Sequence, residues 1–224
     1  MRVYFCTPKM GQNTHHTETN DAQKALIQRA TEVFMRLGIR SVNMADLATE
    51  LSISKKTLYK FVTDKRDLIL QCMDSHCTEM EEVIAGAKQD SENAIDAELK
   101  LIRFIHRTTS QMHPSVLFDL RKYHPKAFQL VVERRNGIML GTVQRNIAQG
   151  QKEGLYRADV LPKVAATFLI SLSEAVKAMA ASGEQEVVLS QLYLQSALYH
   201  IRAISSPKGL AYLEEKIKKE NLFA

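Results

Sequence analysis

Several residue types are scarce in this chain of 224 residues, and each scarcity excludes a class of protein. Its three cysteines are an odd number, which argues against a disulfide framework and for a reduced, cytoplasmic setting. No apolar run approaches the ~18–20 residues of a membrane span, and residues 1–16 lack the apolar centre of a secretory signal. The five prolines and nine glycines are few for this length, as is typical of a helical protein.

The residues that are abundant predict the fold. Hydrophobic residues make up 45% of the chain, enough for a sizeable core, and the net charge of +5 is mild. Apolar residues recur at helical spacing, which predicts an all-α protein with helices at about 21–37, 43–51, 55–61, 64–88, 94–112, 115–123, 125–151, 161–181, 184–203 and 208–221. Residues 1–20 show no periodicity and are predicted as a disordered tail, followed by a small domain at 21–67 and a larger helical domain at 68–224.

The stretch NMADLATELSISKKTLYKFVTDKRD, residues 43–67, predicts a helix-turn-helix. Asn43 can cap the first helix, and Asp46 three residues later completes a capping-box pattern. Leu47 and Leu51 give that helix one apolar face. Ser54 can cap a second short helix, whose recognition segment we place at residues 55–61.

Positive charge is concentrated in the second half of this stretch. Between positions 55 and 66 there are five cations against one anion, Asp64. Such a face attracts a phosphate backbone, and hydroxyl groups and a helix N-terminus add directed hydrogen bonds. The predicted DNA-binding residues are Asn43, Met44, Ser54, Lys55, Lys56, Thr57, Tyr59, Lys60 and Lys65. The alternative is that this basic face is only solvated surface, as most such faces are.

The same residues resemble the DNA-binding segment of TetR-type transcriptional repressors. The resemblance rests on the run Thr57, Leu58, Tyr59, Lys60, Phe61, Val62 and Lys65, preceded by MADLATELSISKK. It implies a three-helix head with a helix-turn-helix, a larger domain for ligand binding and dimerisation, and double-stranded operator DNA as the partner. In this reading Lys65 is a second contact to the phosphate backbone.

The segment also departs from the family pattern at several positions. Ser52 replaces a common turn glycine, which suggests that this turn does not need a positive φ. Lys56 stands where a small residue is frequent, and Phe61 replaces a frequent histidine. Arginine is absent from residues 41–65, so bidentate reading of guanine by arginine is not available there.

The resemblance further implies a ligand pocket among the helices of residues 94–181. Its candidate lining residues are Phe104, Met112, Phe118, Tyr123, Phe128, Met139 and Met179, although each could equally be a plain core residue. Their methionine and aromatic content suggests a small apolar effector. A bound effector would pivot the helix at 64–88 and change the distance between two heads.

The last two long helices carry more apolar residues than one inward face needs. They are either deeply buried or form the interface of a homodimer, as a four-helix bundle with two helices from each subunit. The resemblance favours the homodimer, with Phe168, Leu172, Ala175 and Leu192 as candidate interface residues.

Two other functions stay open at this stage. The chain could be a helical ligand-binding protein whose basic head does not read DNA sequence. An enzyme is less favoured, because the sequence shows no Ser/His/Asp set, phosphate loop or metalloprotease spacing. No cofactor is predicted. Cys72, His76 and Cys77 are close enough for a metal site, but core packing explains them better because no fourth ligand is visible.

Overall fold

The computed structural model describes residues 14–182 and 188–220 as an array of helices. The helices are α1 (Thr14–Leu37), α2 (Met44–Glu50), α3 (Lys55–Leu58), α4 (Lys65–Gln89), α5 (Ala94–Ser110), α6 (Ser115–Tyr123), α7 (Pro125–Lys152), α8 (Pro162–Ser182), α9 (Leu189–Ile204) and α10 (Pro207–Glu220). The described ranges contain no strand, only an isolated bridge between Tyr156 and Ser205. The predicted all-α class is therefore confirmed.

The N-terminal head is formed by α1, α2, α3 and the first half of α4. Helices α2, α3 and α4 begin where the sequence predicted, because Asn43, Ser54 and Asp64 each cap the helix that follows. Phe34, Leu47 and Leu58 are fully buried between these helices. The same core cluster continues through Met73 of α4 to Val116 and Leu120 of α6.

Two helices begin elsewhere than predicted. α1 starts at Thr14, so residues 14–20 belong to this helix and not to a disordered tail, whereas residues 1–13 lie outside the described residues. The helix predicted from residue 184 is described from Leu189, after an extended Val188, and residues 184–187 lie outside the described residues. The boundary expected after residue 67 falls inside a continuous hydrophobic core, since Leu68, Ile69 and Met73 pack with the head.

Ser52, in the turn between α2 and α3, corrects another expectation. Its φ is +56°, so this turn does require a left-handed backbone conformation. No other described residue except glycine has a positive φ. The amide N–H groups of Ser52 and Ile53 donate to the carbonyls of Thr49 and Ala48, which holds the turn closed at 2.9 Å in both cases. A serine here carries strain that a glycine would not.

We therefore expect Ser52→Gly to stabilise the protein modestly. Relief of the left-handed strain should outweigh the greater entropy of glycine in the unfolded chain and add up to about 1 kcal/mol to the free energy of unfolding. Urea titration followed by circular dichroism measures this change. The matched variant Ser52→Ala keeps a Cβ atom and should bring no gain. A loss of stability in the glycine variant would contradict the strain argument.

The C-terminal body is built around a second core formed by α5, α7, α8, α9 and α10. Ile95, Leu99, Ile147, Leu194 and Leu198 lie at its centre with almost no exposed surface. In the described ranges, no helix is long and apolar enough to cross a membrane.

The long helix α4 belongs to both the head and the body. Arg134 of α7 fixes its outer part, because its guanidinium donates to the Asp74 and Glu81 carboxylates at 2.5 Å each. α4 therefore connects the head directly to α7.

Candidate nucleic-acid interface and ligand cavity

Two of the predicted DNA-binding residues, Asn43 and Ser54, are helix N-caps. Asn43 Oδ1 accepts hydrogen bonds from the amides of Ala45 (2.7 Å) and Asp46 (3.1 Å), and Asp46 returns a bond to the Asn43 amide. Ser54 Oγ accepts from the Thr57 amide at 3.0 Å and lies 2.8 Å from the Thr57 hydroxyl. Met44 is half-buried against the head core. The side chains of Asn43, Ser54 and Met44 position α2 and α3. The outer surfaces of these side chains remain next to the basic residues of α3.

The exposed face of α3 is positively charged. Lys55, Lys56 and Lys60 are exposed, and Tyr59 presents half of its side chain at 49% exposure. None of the three lysines forms an ion pair with the residues that the structure describes. Residues 51–63 contain no acidic side chain. The arrangement therefore presents unneutralised ammonium groups and a phenol on α3 and the turn that follows it, which suits contact with phosphate groups.

Lys65 does not belong to this face, which corrects the role expected for it. Its Nζ donates to the carbonyl oxygens of Ile39 (2.6 Å) and Val42 (2.5 Å) in the α1–α2 loop. It also lies 5.9 Å from the centre of the Phe34 ring. Burial lowers the pKa of Lys65, with the charges of Asp119 and Asp46 acting in the opposite direction. The ammonium group is engaged inside the head by these two carbonyl oxygens.

We expect Lys65→Met to destabilise the head without changing how DNA binding depends on salt. Loss of two hydrogen bonds from a charged donor should lower the free energy of unfolding by about 2–3 kcal/mol, measured by urea titration. The slope of log affinity against log salt should stay the same, because no phosphate contact is removed. Arg66→Met is the matched control, since Arg66 is the exposed next residue, and it should leave stability nearly unchanged. A shallower slope in Lys65→Met would restore the phosphate role.

The head contacts the body through Asp119 of α6. This side chain is 4% exposed, and its Oδ2 accepts from the Arg40 amide and from the Ser115 hydroxyl, both at 3.1 Å. The Arg40 guanidinium donates to the Tyr123 hydroxyl at 3.0 Å and lies 5.1 Å from the centre of its ring. The α1–α2 loop, which Lys65 holds from one side, is thus held by α6 from the other.

Most of the predicted pocket residues lie elsewhere. Phe118 and Tyr123 are exposed on α6, with their rings edge to face at 6.2 Å. Phe128 packs against the head core, and Phe104 lines a polar cleft bounded by α1, α4 and α5. Met179 is 53% exposed on α8.

The structure instead shows a cavity of about 180 Å³ inside the body. Of the seven predicted residues, Met112 and Met139 line it. The other walls are mainly aliphatic and come from α4 to α9, but Met35 of α1 and Leu117 of α6 also take part. The cavity shares Met35, His76 and Thr108 with the polar cleft beside it. A molecule in this cavity would touch both the head helix α1 and α6, which bears Asp119.

Charged groups inside the cavity were missed by the sequence analysis. Glu98, Arg135 and Lys177 all line it. Burial raises the pKa of Glu98 to about 7, and burial together with the charge of Arg135 lowers the pKa of Lys177 to about 8. A signal was present for Glu98, which lies three residues after Ile95 and four before Ile102, on the apolar face of its helix.

Helix α8 exposes an apolar stripe on the surface of the chain. Phe168 is 69% exposed and Leu172 is 41% exposed, while Ala175 is also exposed. Leu192 of α9 is half-buried, and Tyr199 of the same helix is exposed. The opposite side of α8 packs into the body core through Ala166 and Leu169, and Val176 on the same helix is also buried. The alternative in which α8 is buried on all sides within one chain is therefore wrong.

A capped helix-turn-helix with a basic second helix, attached to a larger helical body, defines a DNA-binding transcriptional regulator. Residues 26–72 match the family described as bacterial regulatory proteins, tetR family, and this range contains all of α2 and α3. The head of this chain is therefore a DNA-binding segment of the TetR type.

Comparisons with individual proteins agree with this fold. The chain is 24% identical over 138 residues to the uncharacterized HTH-type transcriptional regulator YhgD of Bacillus subtilis, covering 60% of this chain and 71% of the relative. A TetR-family regulator from Streptomyces coelicolor, SCO4454, superposes with a TM-score of 0.57 at 21% identity, over 83% of this chain and 97% of that one. A transcriptional regulator from Saccharomonospora viridis, solved in complex with choline, gives a TM-score of 0.63 at 17% identity, over 84% and 99%. These structures share the fold of this chain.

Proposed function

We propose that this chain is a ligand-responsive repressor that binds a near-palindromic operator as a homodimer. The observation that carries this proposal is the position of the cavity, whose wall includes Met35 of the head helix α1 and Leu117 of α6. Occupation of the cavity would act on both sides of the contact between head and body.

Binding to DNA is assigned to α3. We infer that Lys55, Lys56 and Lys60 neutralise phosphate groups and that the Tyr59 hydroxyl adds a directed hydrogen bond. The outward surfaces of Asn43, Met44, Ser54 and Thr57 complete this interface. The Lys65 ammonium group is hydrogen-bonded inside the head. The positively charged surface therefore includes fewer residues than the sequence suggested. Base reading then depends on lysine and hydroxyl groups, with Lys56 as the candidate contact to guanine acceptors.

The homodimer is assigned to the exposed stripe of α8 together with α9. Large apolar side chains such as Phe168 and Leu172 are costly to leave in water, and a second copy would cover them with the same residues. Two heads related by a twofold axis would then read half-sites one helical turn, about 34 Å, apart.

The effector is assigned to the 180 Å³ cavity. The Saccharomonospora viridis regulator was solved in complex with choline, and by analogy we expect this chain to bind a small organic molecule. Such a molecule would favour one of two head positions by population shift, through α1 and through the contact of Asp119 with Arg40.

The proposal is tested by measuring binding to the DNA upstream of the chain's own gene. We expect the fragment to bind at least about 1,000-fold more tightly than a scrambled fragment of the same composition. Affinity should fall steeply as salt rises. Equal affinity for both fragments would favour the alternative, a helical ligand-binding protein that does not read DNA sequence.

A further inference from the structure

Glu98 of α5 is a buried carboxyl group that no neighbouring side chain satisfies. It is 8% exposed and lines the cavity, and no described residue donates a hydrogen bond to it. Its raised pKa agrees with this isolation, because burial is the cause. A buried, unpaired acid is destabilising compared with an apolar residue of the same size. Its position in a cavity wall therefore indicates that a bound molecule completes its hydrogen bonds.

The positively charged groups of the same cavity already have partners. Arg135 Nη2 and Lys177 Nζ both donate to Glu174 Oε1 at 2.5 Å. Arg135 and Ser173 also lie near the Tyr193 hydroxyl, where they oppose the rise in the pKa of Tyr193 that burial causes. An anionic ligand would have to compete with Glu174 for these two cations. A cationic ligand would meet the unused oxygens of Glu98 without breaking any contact.

The uncharged walls of the cavity indicate what the rest of the ligand is like. The side chains that face the space are mostly aliphatic or thioether groups, among them Leu101, Ile105, Leu117, Ile170 and Met80. The described walls also include the rings of Tyr193 and His76. The cavity volume of about 180 Å³ exceeds the ~150 Å³ of an apolar cavity that holds a benzene molecule. Flexible aliphatic walls of this size suit a hydrocarbon chain or small ring of several carbons.

We propose that the cavity recognises lipophilic amines, in which an aliphatic body fills the space and a single protonated amino group pairs with Glu98. A charge-assisted hydrogen bond to a carboxylate is stronger than a neutral one, and the dry surroundings strengthen it further. An alcohol of the same length makes only the neutral bond, and a carboxylate of the same length is repelled. The regulatory consequence of amine binding rests on the proposed function, but amine binding itself does not.

Calorimetric titration of the full chain with three probes of equal length tests the proposal. The probes are octylamine, octanol and octanoate. We expect octylamine to bind at least about tenfold more tightly than octanol, and octanoate to bind most weakly. Glu98→Gln should reduce octylamine to the affinity of octanol and leave octanol unchanged. The ranking of the three probes on the unmodified chain does not depend on any variant folding.

Asp96→Asn is the matched control. Asp96 is a buried carboxyl on the same helix, but it is bonded to Tyr212 at 2.8 Å and Lys216 at 3.2 Å and does not line the cavity. This variant should keep the preference for the amine. The proposal is overturned if octanoate binds as well as octylamine, if Glu98→Gln keeps the preference, or if octylamine fails to bind at about 1 mM.

The same probes separate this proposal from the proposed function. Operator binding is measured without any ligand and then with octylamine present. If octylamine binds the chain but leaves operator binding unchanged, the ligand class stands and the regulation by this cavity is wrong. If the chain binds its operator specifically but binds no amine, the regulator stands and the ligand class is wrong.

Discussion

Phe168→Arg should convert the protein into monomers and remove most of its DNA binding. Phe168 is the most exposed large apolar residue of the α8 stripe, and a twofold interface would bury two copies of the new charge without a partner. In a dimer, binding of one head holds the second head close to its half-site. A monomer loses this advantage, because each head must then bind independently. We expect affinity for the operator to fall by about 100- to 10,000-fold. Analytical ultracentrifugation and fluorescence anisotropy measure the two effects on the same samples.

Thr167→Arg is the control for this variant. Thr167 is the exposed neighbour of Phe168, but it points about 100° away from the stripe around the helix axis. The same charge there should leave both the dimer and the DNA affinity intact. A dimeric Phe168→Arg would place the interface on another surface of the chain. Monomers that still bind the operator at full affinity would separate dimerisation from DNA binding.

Replacing Lys55, Lys56 and Lys60 together by alanine should have the second large effect. Each phosphate contact contributes about 0.9 to the slope of log affinity against log salt, and every substitution is present twice in a dimer. The magnitude of that slope should therefore fall by about five in the triple variant. The variant should also bind all DNA sequences weakly at physiological salt. Titrations at several salt concentrations measure the slope directly.

The control removes the same number of charges from the body. Lys152, Lys218 and Lys219 are exposed on α7 and α10, far along the chain from the head. Their triple alanine variant changes the net charge equally, so a local phosphate interface predicts an unchanged slope. If both triple variants lose the same amount, the attraction comes from total charge and α3 is not the contact surface.

The sequence predicted local structure well because capping and helical periodicity are local. Asn43, Ser54 and Asp64 need only a few following residues to act as caps, and the structure confirms each one. The exposed α8 stripe could also be anticipated, since a helix that is apolar on two sides needs two partners. The basic face of α3 could be predicted too, because its lysines are neighbours in sequence and therefore lie close together on the surface.

The features that could not be predicted depend on contacts between residues far apart in sequence. Lys65 was expected to contact phosphate, but carbonyls 23 and 26 positions away accept its hydrogen bonds. Ser52 was expected to avoid a positive φ, but the angle between α2 and α3 demands one. The pocket was predicted from large aromatic side chains, which instead fill the core or lie on the surface. A cavity forms where the side chains of neighbouring helices do not fill the space between them. Its position depends on how several helices pack, so the sequence alone does not predict it.

The contact between Asp119 and the α1–α2 loop limits how strongly a ligand can act on DNA. A ligand can shift the balance between two head positions only by the free energy that separates its binding to them. If that difference comes mainly from the bond between Asp119 and the Arg40 amide, it is about 1.5–3 kcal/mol, the value of one hydrogen bond to a charged group. This corresponds to a change in DNA affinity of roughly 10- to 150-fold. Transcription would then respond to the ligand in a graded manner, with measurable basal expression from the repressed promoter.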